Sequence, residues 1–135
     1  MSTLSNTDLT VADANITTLK DGSGNNPSTP VQISQGRAKA WVNFDGTGTP
    51  GINDDFNVAS ITDNGTGDYT IVIETDMGNG NYSIAGTASD EDSTTGYLNA
   101  PFQSAPAAGS FRISTDTHGG SVQDVTHVSC VIFGD

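Results

Sequence analysis

Apolar and polar residues alternate with a period of two in several short runs, separated by clusters of Asp, Asn, Gly and Thr. The clearest runs fall within residues 38–73. Ala40, Val42 and Phe44 share one face there, opposite Lys39, Trp41 and Asn43, and farther on Tyr69, Ile71 and Ile73 oppose Thr70, Val72 and Glu74. Strict alternation places one set of side chains on each face of an extended strand, so these runs predict half-buried antiparallel strands. The polar clusters supply positive φ and side-chain-to-backbone hydrogen bonds, which tight reversals need. Asp63-Asn64-Gly65-Thr66-Gly67-Asp68 is the sharpest of them and predicts a hairpin loop, making 38–73 a β-meander.

Downstream, 81–87 reads as a strand with Tyr82 and Ile84 on one face, and 89–95 as an acidic loop around Asp90, Glu91 and Asp92. A brief apolar segment carries Tyr97 and Leu98. Residues 109–115 follow as a strand with Phe111 and Ile113 inward, and 117–121 as a His-Gly-Gly loop. The last run, 122–133, has apolar residues on both faces, the mark of a central strand or one covered by a neighbour. Seven or so short strands at near-regular spacing predict an all-β, antiparallel β-sandwich or jelly-roll-like fold. Residues 29–135 form this domain, and 1–28 precede it as a polar arm without a long periodic segment. One short helix is expected at about 30–35, where Thr29 suits the N-cap, Pro30 the first turn, Gln32 a capping box and Gly36 the stop.

Composition supports this pattern. Ile and Val total 18 against 4 Leu, and 16 Gly accompany many Thr, Ser and Asn, a bias towards strands and turns. A hydrophobic content of 33% is lean for 135 residues, and thin cores are commonly supplemented by metals, disulfides or oligomerisation. Cys130 is the only cysteine, which excludes an intrachain disulfide, so self-association is the expected supplement. The formal net charge of −12 repels phosphate backbones and anionic lipids, which argues against nucleic-acid binding and membrane insertion. No apolar run approaches a membrane span, and the start has neither the basic nor the apolar region of a secretion signal.

Site chemistry is sparse. His118, His127 and Cys130 offer metal-ligating atoms, but His127 and Cys130 have opposite parity on one strand and face apart, so no metal or other cofactor is expected. Residues 21–32 begin like a calcium loop but carry Asn26 where Gly is needed and Gln32 where a bidentate Glu is needed. Asp54-Asp55 and the 90–92 triplet are weaker candidates for calcium. The carboxylates sit in polar turns, where nothing raises a pKa for acid–base work, and there is no nucleophile elbow or phosphate loop, so no enzyme is expected. Trp41 is expected to be buried against the second layer of a sandwich or a sister chain, with a carbohydrate platform as the alternative.

Residues 36–49 (GRAKAWVNFDGTGT) and 56–70 (FNVASITDNGTGDYT) together resemble a module of short virion-associated proteins of tailed bacteriophages, many of them marine. The similarity extends to 20–30 (KDGSGNNPSTP), 81–86 (NYSIAG) and the ending VIFGD. The resemblance implies a non-enzymatic virion part, tail-fibre-like or receptor-binding, with capsid decoration or a head fibre as the alternative. It implies a homotrimer, assembled in the host cytoplasm and released by lysis, whose arm attaches to other virion proteins. The β-domain would then face outward towards a host surface receptor or glycan. Asp90, Glu91, Asp92, Tyr97 and His118, in exposed loops, are the expected contact residues.

Overall fold

A computed structural model describes residues 36–91 and 95–135. The strands are β1 (Ala40–Asp45), β2 (Gly51–Phe56), β3 (Val58–Gly65), β4 (Asp68–Ile73), β5 (Ser83–Ser89), β6 (Thr95–Asn99), β7 (Ser110–Asp116) and β8 (His127–Phe133). They form one antiparallel sheet in the order β2-β1-β8-β5-β6-β7-β4-β3, curled until its outer strands β2 and β3 approach each other in a nearly closed barrel. The all-β antiparallel expectation is met, and no helix occurs among the described residues. The order β8-β5-β6-β7 is a Greek key: three consecutive strands, with the fourth returning beside the first. The arm at 1–28 and the helix expected at about 30–35 lie outside the described residues.

The predicted inward faces form the core. Ala40, Val42 and Phe44 of β1 meet Tyr69, Ile71 and Ile73 of β4, Phe111 and Ile113 of β7, and Val128, Cys130 and Ile132 of β8, all buried. Phe44 and Tyr69 pack edge to face at 5.2 Å between ring centroids. Tyr69 then carries its hydroxyl to the carbonyl oxygen of Gly46 (2.7 Å) and to Oδ1 of Asp124 (2.9 Å), tying β4 to the end of β1 and to the loop before β8. A Cβ on Gly46 would lie 2.6 Å from that hydroxyl, so the close approach requires glycine. Burial and the neighbouring Asp124 carboxylate push the Tyr69 pKa far up. Burial likewise raises Tyr82 and the Cys130 thiol to about 12.

Three expectations change. Asp54-Asp55, expected in a polar turn, lie instead in residues 51–56, the edge strand β2, exposed along its whole length. Adjacent strand residues point to opposite faces, so Asp54 and Asp55 cannot converge on a calcium ion. The last strand begins at His127 rather than Val122, because Val122 makes only an isolated bridge to Asp116. The meander is two hairpins, β1–β2 and β3–β4, joined by Asn57 alone. The second has Thr66 and Gly67 at its tip, because β3 continues to Gly65.

Asn57 makes that join possible. Its φ of 58° is left-handed, a conformation Asn tolerates better than other side chains do. Its side-chain amide donates to the carbonyls of Lys39 (3.0 Å) and Thr75 (3.1 Å), and its Oδ1 accepts from the Thr75 amide (2.7 Å). One side chain thus holds the approach to β1 and the exit from β4 at the β2–β3 corner. Asp54 and Asp55 on β2 and Asp63 on β3 place charge on the two unpaired edges, which discourages edge-to-edge pairing with another sheet.

Candidate functional site

Neighbouring strands alternate in direction, so every odd strand runs towards one end of the barrel and every even strand away from it. The loops following β1, β3, β5 and β7 therefore gather at that end. The opposite end receives the chain through residues 36–39, where the Lys39 amide bonds the Ile132 carbonyl (2.9 Å), and also holds Asp135, whose carbonyl accepts from Gly78 (2.8 Å).

At the loop end the structure brings several expected residues together. Tyr97 on β6 and His118 in the β7–β8 loop make a hydroxyl-to-Nδ1 hydrogen bond of 2.9 Å, with ring centroids 5.9 Å apart. Tyr97 remains about half exposed. Asp90 and Glu91 join the start of β8 instead: Asp90 Oδ1 accepts from the Thr126 hydroxyl (2.9 Å), and Glu91 Oε1 lies 3.1 Å from His127 Nε2. Asp92 lies outside the described residues. These pairs occupy consecutive strands, β8, β5, β6 and β7, and form a rim of one exposed aromatic, two imidazoles and two carboxylates.

His127 belongs to this rim, although its place in an apolar run predicts partial burial. It is exposed, on the face opposite the buried Cys130. The β5–β8 register sets Ser89 against His127, bringing Glu91 within reach, and no local sequence pattern reveals that pairing. The rim stands on a rigid floor. Thr115 and Gln123 exchange backbone and side-chain bonds (2.6–2.9 Å with Gly67), and the Asp124 carboxylate also accepts from the Gly67 amide (2.7 Å). On the other flank Arg112 grips Asp68 through a fork of two hydrogen bonds, 2.7 and 2.5 Å, which holds the Asp68 carboxyl below its ordinary pKa. Asn99 and Ser114 similarly fix Asp116 beside Tyr97.

Trp41 is not part of this rim. It stands half-buried on the outer face of β1, beside a groove crossing β1, β8 and β5. Among the described residues no group of three or more His, Cys, Asp or Glu side chains is arranged to hold a metal ion. No family model, curated protein or solved structure matches the chain.

Proposed function

We propose that this chain is a non-enzymatic structural part of a tailed-bacteriophage particle, tail-fibre-like or receptor-binding, that holds its β-domain outward. The observation carrying this reading is the two-ended arrangement of the barrel. The polypeptide enters at one end, and the Tyr97–His118 and Glu91–His127 pairs, each of one loop and one strand residue, stand at the other. An anchored module that must touch something beyond the particle needs its contact loops away from its attachment. A rim of hydrogen-bonding groups around an exposed aromatic is suited to a surface receptor or glycan. The sequence resemblance to virion-associated proteins points the same way. In the particle the chain is a homotrimer, completing its lean core against sister chains and attaching through the arm at 1–28.

The test uses virions. Quantitative mass spectrometry of purified particles should find the chain in a few multiples of three copies, and antibody raised against the loop end should block adsorption to the host. Hundreds of copies would make it a capsid decoration or head-fibre protein. Its absence from particles would end the virion reading, and normal adsorption of antibody-saturated particles would end the receptor-binding one.

A further inference from the structure

The outer face of β2-β1-β8-β5 carries a feature that the loop end does not use. Register aligns Phe56, Trp41, Val131 and Ala85 in one row across the four strands, and Asp54, Asn43, Ser129 and Thr87 in the next. The outward side chains of β5 at these rows, Ala85 and Thr87, are small, and the space they leave lies beside Trp41. The result is a groove of about 550 Å³ lined by Trp41, Asn43, Ala85, Thr87, Ser129 and Val131, together with backbone of the same strands. That volume falls within the roughly 300–1,000 Å³ of small-ligand sites.

We propose that this groove binds a neutral saccharide, with a sugar ring stacked on Trp41 and its hydroxyls bonded to Thr87 and Ser129. Charge narrows the ligand first. In a chain of net charge −12, none of the lining residues is charged, so nothing there would pair with an ionic ligand. The polar groups narrow it further. Among the described residues the Thr87 hydroxyl makes no hydrogen bond, and Ser129 Oγ only accepts, from the Asn43 amide (2.8 Å), leaving its own proton to give. Asn43 is fixed in turn, since its Oδ1 accepts from Asn53 (3.0 Å). A half-exposed indole next to two hydroxyls with spare capacity suits a ligand with an apolar ring face and hydroxylated edges.

This inference is independent of the virion reading and is tested on the purified full chain. Trp41 is the only tryptophan, so its emission reports directly on the groove. Cellohexaose, maltohexaose, mannohexaose and chitohexaose are titrated in turn, and at least one should produce a saturable change. Thr87→Arg should weaken that response by about tenfold or more with an unchanged circular dichroism spectrum, because Thr87 is exposed and points away from the core. Thr62→Ala, on the exposed edge strand β3, should leave the response intact. Isothermal titration of Trp41→Ala should show no binding. The proposal is overturned if no probe gives a saturable signal, or if Thr87→Arg responds like the wild type. It is equally overturned if emission changes with protein concentration alone and sedimentation shows the same concentration-dependent oligomer, dimer or trimer, which would assign the face to another copy of the chain.

Discussion

Replacing Asn57 with alanine should remove much of the barrel's stability, and the size of the loss can be worked from the corner it holds. Three hydrogen bonds disappear. Two are exposed, where water replaces the lost partner, and one is partly buried, so together they account for about 2 kcal/mol. Alanine must also hold the left-handed φ of 58°, which adds about 1 kcal/mol. The expected loss is about 3 kcal/mol, or roughly 12–24 °C in Tm for a domain of this size. Asn57→Gly loses the same bonds without the backbone strain and should lose about 2 kcal/mol, increased by a few tenths through glycine's greater freedom when unfolded. Asn57→Asp keeps the acceptor for the Thr75 amide and should retain the most stability of the three. Urea unfolding followed by Trp41 emission measures the series. An alanine variant within about 0.5 kcal/mol of wild type, the ordinary range of surface changes, would refute the role assigned to this corner. A glycine variant less stable than alanine would refute the backbone part of it.

Asp68 has its folded pKa depressed by Arg112, so its contribution to stability is complete above the unfolded value near 3.9 and is lost as pH falls through the lower folded value. The urea midpoints of wild type and Asp68→Asn should therefore differ by a constant amount from pH 7 to 5 and converge below about pH 4. Tyr69→Phe should cost about 2 kcal/mol by leaving Gly46 and Asp124 without the hydroxyl. Gly46→Ala should also destabilise, by about 1–3 kcal/mol, and the double variant should lose less than the sum because the closest clash is with that hydroxyl. The Cys130 thiol, buried and raised to about 12, should resist iodoacetamide at pH 8 in the native protein and react promptly in urea, as mass spectrometry would show.

Strands that line the core were legible because burial leaves a period-two record. The inward residues of β1, β4 and β7 are those the alternation marks. β2 left no such record. Gly51-Ile52-Asn53-Asp54-Asp55-Phe56 is exposed throughout, and only its pairing with β1, bulge included, makes it a strand. The single strand read over 122–133 is shorter because Val125 reaches the core from the preceding loop, where its carbonyl accepts from Gly46. At the rim, Tyr97, His118, Asp90 and Glu91 were identifiable as exposed loop chemistry. Their partners were not, since Tyr97 meets His118 across 21 positions and Glu91 meets His127 across 36. Those separations are set by strand register, which depends on the whole sheet. Trp41 was ambiguous for a related reason: its surroundings are decided by the small residues of β5, a strand two places away across β8.

The alternation of strand directions has a mechanical consequence. A pull between residues 36–39 and something held by the loop rim acts along the strand axes. The first ladders to bear it are those of β1 with β8 and with β2, and their rungs lie across the force. Such ladders are loaded in shear, with every rung sharing the strain, instead of being peeled open one at a time. The barrel is therefore oriented to resist extension along the line joining its two ends. A pull across the seam between β2 and β3 meets far less, because the hinge there is Asn57 and its hydrogen bonds to Lys39 and Thr75.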